Sequence, residues 1–154
     1  MLKASSGNMR YALVILVALV LVAYVALTFN EPTAPKIVEL KDYSLNPDTI
    51  NANSSSTLSF TIKNDDNSNS HFVTVHFNAS SMLTFWQGSE ILPTENGMQY
   101  LTRTFSPSDV ITTSITVKAT LPSQMSSGTY PIVLTFFVDG NQFDSKQVNL
   151  NVQG

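Results

Sequence analysis

From Thr57 to Lys63 the chain reads Thr-Leu-Ser-Phe-Thr-Ile-Lys, with an apolar side chain at every second position. A period of two places Leu58, Phe60 and Ile62 on one face of a strand and Thr57, Ser59 and Thr61 on the other. The same alternation sets Val73, Val75 and Phe77 against Thr74 and His76, and Ile115 and Val117 against Thr116 and Lys118. Ile37–Leu40 opens the series, and Val148, Leu150 and Val152 close it. Tyr130–Phe137 is largely apolar on both faces, which predicts a central or covered strand. Breakers fall between these runs at Asn46-Pro47-Asp48, Asp65–Asn69, Ser106-Pro107-Ser108 and Pro122–Gly128. Asp139-Gly140, between the last two strands, predicts a tight hairpin. Short strands with this punctuation predict a mainly β domain over residues 37–154, built as two packed antiparallel sheets.

One segment departs from the alternation. Tyr11–Phe29 is uncharged and almost wholly apolar, with no Gly or Pro. At about 1.5 Å per residue such a run, if helical, spans the hydrocarbon layer of a bilayer, and it predicts one transmembrane α-helix over 11–29. Lys3 and Arg10 precede it, and the first base after it is Lys36. The positive-inside rule then puts residues 1–10 in the cytoplasm and the β domain outside, as in a single-pass cell-membrane protein. The run is longer than the usual signal-peptide core, so a retained signal anchor is preferred to a cleaved signal or to prepilin-type processing after Gly7. Residues 30–36, with Pro32 and Pro35, form a short linker that holds the domain within about 20 Å of the membrane. Membrane lipid and other membrane or envelope proteins are the partners this organisation predicts.

Charge and cysteine narrow the functions. Lys and Arg together number 8 against 11 Asp and Glu, a net charge of −3 with no basic stripe, so nucleic acid is not an expected partner. There is no cysteine, which removes disulfides, thiolate metal sites and a cupredoxin-type copper centre. No nucleophile elbow, phosphate loop or carboxylate pair is present, so no catalytic residue and no cofactor is expected.

The remaining candidates are few. His71 and His76 are the only histidines, and their odd separation puts them on opposite faces of one strand. Asp65, Asn67 and Asn69 have the alternating spacing of a calcium loop without the Gly and distal Glu of an EF-hand, and read as a polar hairpin tip. Asn53-Ser54-Ser55 and Asn78-Ala79-Ser80 make Asn53 and Asn78 candidate glycan acceptors. Met82–Trp86 with Ile91-Leu92-Pro93 holds the one Trp. Phe85 and Trp86 read as core packing, or alternatively as an apolar contact surface for a partner or the bilayer interface.

Three stretches carry a resemblance: Leu45–Ile50, Ser56–Asn64, and Ser127–Ile132 with Gly128-Thr129-Tyr130 opening the late strand. Together they resemble the membrane-anchored immunoglobulin-like surface domains of prokaryotes, archaeal ones among them, with the CARDB family nearest in style. The resemblance implies an immunoglobulin-like β-sandwich that binds or spaces, with no catalytic residues. The reading as a whole is a non-catalytic accessory or structural subunit of a membrane or cell-envelope complex, making protein–protein contacts through helix and sandwich. A pilin or archaellum-stator-like protein, a small subunit of a membrane oxidoreductase and a solitary metal-binding surface protein are the alternatives.

Overall fold

The alternating segments become paired strands in the computed structural model, which describes residues 37–120 and 122–153. Sheet 1 runs β1 (Val38–Asn46), β3 (Ser55–Asn64), β9 (Val110–Ala119), β5 (Leu83–Gln87), β6 (Glu90–Ile91). Sheet 2 runs β2 (Thr49–Asn51), β11 (Asn141–Gln153), β10 (Gly128–Val138), β4 (His71–Ala79), β8 (Met98–Phe105), β7 (Thr94–Glu95). Among the described residues every pairing is antiparallel except β2 beside β11. The orders β1-β3-β9-β5 and β11-β10-β4 are those of the ABED and GFC sheets of immunoglobulin-type sandwiches. β8 is an extra strand that follows β5 in the chain, crosses to sheet 2 and adds beside β4.

The core is what the alternation places inside. Leu58, Phe60 and Ile62 of β3 and Ile115 and Val117 of β9 face Val73, Val75 and Phe77 of β4 and Ile132, Leu134 and Phe136 of β10, all at most 2% exposed. Phe60 meets Phe136 edge-on at 5.6 Å between ring centroids, and Phe77 stacks on Phe85 at 4.9 Å. Asp139 and Gly140 both take positive φ, the backbone of a type I′ turn, and close the β10–β11 hairpin. β1 changes register between Leu40 and Asp42 in a bulge that the alternation alone does not announce. Gln99 points inward from β8 and closes the open side of β5. Its Oε1 accepts from the Phe85 N–H at 2.9 Å, and its Nε2 donates to the carbonyls of Phe85 and Leu92 at 3.2 and 3.0 Å. One side-chain amide thus stands where a neighbouring strand would be.

The expected α-helical part of the fold class is corrected. Among the described residues no helix is long and apolar enough to cross a membrane, and the one helical turn is a 3-10 segment at Pro122–Gln124. The physical reason lies in the strands. Apolar residues among the described residues come in alternation or in the 11-residue β10, and the inward faces of β3, β4, β9 and β10 are spent on the opposite sheet. The segment 11–29 itself lies outside the described residues. The single-pass membrane placement, with its cytoplasmic N-terminus and external domain, rested on that helix and is not retained. Nor are the cell-surface and glycoprotein readings that followed from it, or the archaeal one that came with the resemblance.

Candidate functional site

β4 reads His-Phe-Val-Thr-Val-His-Phe-Asn-Ala, and its two faces have different work. Val73, Val75 and Phe77 enter the core, while Phe72, Thr74, His76 and Asn78 point away from it. β8 pairs with β4 so that Tyr100 lies opposite His76 and Thr102 opposite Thr74. On the other side β10 sets Phe137 opposite Thr74 and Thr135 opposite His76. Three rings therefore cross the outer face of sheet 2, with His76 5.0 Å from Phe137 and 6.1 Å from Tyr100 between centroids. Phe72 adds a fourth ring and is 52% exposed. These residues, with Thr102, Glu95 and Gly140, line a shallow groove of about 400 Å³. Thr74 and Thr102 share a hydroxyl–hydroxyl bond at 3.2 Å across its floor. Glu95 is the one charged side chain that lines it.

One end of the groove rests on a histidine clamp. His71 is the first inward residue of β4 and is 9% exposed. Its Nδ1 lies 2.6 Å from Asp139 Oδ2 and its Nε2 3.3 Å from Asp66 Oδ2. Asp139 Oδ1 also accepts from the Phe72 N–H at 2.9 Å, so the turn after β10 and the exposed ring are held by one carboxylate. Asp66 caps its own loop, accepting from the backbone of Ser68 and Asn69 and from the Asn69 side chain. The hydrogen bond to Asp139, aided by Asp66, raises the His71 pKa above 6.5. The same contact lowers Asp139, and hydrogen bonds led by that from Asn69 hold Asp66 far below 3.8.

The sign of the pH dependence follows. A raised histidine pKa contributes stability that is fully present below 6.5 and is lost as pH rises through the folded value. The depressed carboxylates contribute stability above about 3.9 that is lost as pH falls through their folded values. The clamp is therefore strongest between about pH 4 and 6.5. Urea midpoints are expected to fall from pH 6 to pH 8.5, and His71→Gln to flatten that slope. An unchanged slope in the variant would show that the imidazolium is not held by these carboxylates.

The other candidates sit as follows. Phe85 is buried at 2% exposure and offers no surface to a partner. Trp86 stands on the outer face of sheet 1, half-buried, its Nε1 donating to Thr84 Oγ1 at 3.1 Å and the Lys118 ammonium 4.8 Å above its ring. Asn53 is exposed in the turn after β2, and Asn78 is exposed within β4 on the face of the groove. Asp65 pairs with Lys63, and Asn69 serves Asp66, so the supposed calcium spacing is a self-bonded turn. Among the described residues no group of three His, Cys, Asp or Glu side chains is placed to hold a metal ion. Sequence reasoning missed Phe72, Tyr100, Phe137 and the Asp66–His71–Asp139 cluster. The available signal was the pair of rings, Phe72 and His76, on the outward positions of β4.

No protein-family model matches the chain, and no curated protein matches it. Solved structures that the chain resembles in part include the alkylpurine DNA glycosylase AlkC of Pseudomonas fluorescens bound to DNA with an abasic-site analogue, at TM-score 0.48 and 11% identity over 77% of this chain. A β-glucosidase from Listeria innocua is similar at TM-score 0.45 and 16% identity over 76% of the chain. The chain spans 31% of the former protein and 16% of the latter. At that level of likeness neither activity carries over.

Proposed function

We propose that the β domain is a non-catalytic binding module, an accessory or structural component that works by protein–protein contact through the outer face of sheet 2. The observation that supports this reading is the aromatic groove of Phe72, which is exposed, and of His76, Tyr100 and Phe137, which are partly so. Large rings on an open sheet face give no core packing in return for their exposure, and rigid aromatic side chains are the anchors that protein contacts favour. The groove is nearly free of charge, as the centre of a contact patch is. Phe72→Ala separates this role from a structural one. The change is expected to weaken retention of a copurifying partner about tenfold or more, as loss of an anchor side chain does. Half-exposed as it is, the ring contributes little to folding, and the urea midpoint should move by less than the equivalent of about 1 kcal/mol. Unchanged retention of every copurifying protein would overturn the reading.

A further inference from the structure

Most strand edges of this sandwich are closed against further pairing. β1 carries Glu39, Lys41 and Asp42 and a bulge. β5 is blocked by the Gln99 amide and by β6, and the start of β8 by β7. The rest of β8 is different. The Tyr100 N–H points away from β4 to the Pro93 carbonyl at 3.0 Å. In an antiparallel ladder alternate residues turn the same way, so Thr102 and Thr104 also aim N–H and C=O outward. Among the described residues no hydrogen bond reaches those groups. Thr104 is exposed and Thr102 partly so. On the same side of the molecule β9 pairs with β5 only from Thr116 onward, and among the described residues Val110–Ile115 has no neighbour there. Between the two edges a narrow apolar gap enters the core, lined by Ile62, Val75, Leu101, Phe105, Thr113 and Arg103. Arg103 is exposed at its mouth and belongs to no ion pair among the described residues.

We propose that the free edge of β8 takes an extended segment of a partner protein, apolar at alternate positions and carrying an acidic side chain that meets Arg103. A row of unpaired backbone donors and acceptors is complementary to an extended chain and to little else. A strand added at Thr102 and Thr104 turns every second side chain over the mouth of this gap, which at about 10 Å³ is too small to be entered but offers apolar walls for those side chains to cover. Arg103, on the inward face of β8, sets the charge. An inward charge on an edge strand disfavours pairing with a purely apolar strand, and a carboxylate opposite it removes that penalty. The inference goes beyond the outer-face contact: it uses the backbone edge of β8, which adjoins the groove at Thr102, and not the aromatic rings.

The test uses the full chain and a short capped peptide alternating threonine with valine, with aspartate at the central apolar position. Hydrogen exchange of the free protein should show unprotected amides at Thr102 and Thr104. The peptide should protect both and bind saturably. Lysine in place of the aspartate should weaken binding about tenfold or more, since a charge-assisted contact is lost. N-methylation of alternate peptide amides should abolish binding. Arg103→Glu should reverse the preference between the two peptides, and Arg103→Gln should erase it. Both changes are at an exposed position, so the fold is expected to persist, which circular dichroism checks. Amides already protected in the free chain, binding indifferent to N-methylation or to the central residue, or no saturable binding would each overturn the proposal. Protection that rises with protein concentration alone would assign the edge to a second copy of this chain instead.

Discussion

Phe136→Ala is expected to lower the unfolding free energy by about 3–5 kcal/mol. The ring is fully buried in the central strand of sheet 2, edge-on to Phe60 at 5.6 Å and tilted against Phe143 at 6.0 Å. Its removal loses the transfer free energy of the ring and leaves a cavity that β-sheets pinned on both sides cannot collapse. A domain of this size has a total stability of about 5–15 kcal/mol, so the loss is a large part of the whole. Thr61→Ala is the control. Thr61 faces outward on β3 and shares a hydroxyl bond with Thr112 at 2.9 Å, an exposed cross-strand pair worth about 0.2–1 kcal/mol. Urea denaturation of both variants measures the contrast. Equal losses would mean that the in–out assignment of β3 and β10 is wrong.

That assignment was legible because each of these strands buries one face or both. β3, β4 and β9 alternate cleanly, and the core they predict is the core observed. The Asp139-Gly140 turn was legible for a different reason, since few dipeptides tolerate positive φ at both positions. β8 was not legible. Its inward positions are Gln99, Leu101, Arg103 and Phe105, and two of these are polar for reasons that lie elsewhere in the chain. Gln99 serves the edge of β5, and Arg103 stands where the strand has no neighbour. The alternation is therefore broken by tertiary demands that local sequence cannot display. β11 was legible only toward its end, because Phe143 is the single apolar residue in its first half and no alternation shows there.

The candidate site was harder to read than the fold. Phe72 and His76 fall on positions that alternation assigns to solvent, and nothing local distinguishes a ring that serves a partner from one placed there by chance. Tyr100 lies on the strand that was missed. Asp66 and Asp139 are 73 residues apart in sequence by their numbering, and only the folding of β10 back against β4 brings both to His71. The apolar run at 11–29 lies outside the described residues, and among those no helix is long and apolar enough to cross a membrane.

Asn64→Leu is expected to be the other severe change, at roughly 3–5 kcal/mol if two or three polar groups are orphaned at about 1–3 kcal/mol each. Asn64 is the last residue of β3 and is fully buried. Its Nδ2 donates to the carbonyls of Asn69 and Ser106, each at 2.9 Å, and its Oδ1 accepts from the Asp66 N–H at 3.0 Å. One side chain thereby ties the β3–β4 loop to the β8–β9 loop. Leucine keeps the branching and heavy-atom count of asparagine in a somewhat larger side chain and makes none of its bonds, so the backbone groups it served lose their partners. The effect should extend to the clamp, because Asp66 reaches His71 from the loop that Asn64 holds. Asn64→Leu should therefore reduce the fall in urea midpoint between pH 6 and pH 8.5, as His71→Gln does. A core substitution such as Leu134→Ala should lower stability and leave that pH dependence intact. A loss below about 1 kcal/mol on Asn64→Leu would show that water replaces the amide. A severe loss with the full pH dependence retained would separate the asparagine from the clamp, leaving the Asp66 loop ordered by its own hydrogen bonds from Ser68 and Asn69.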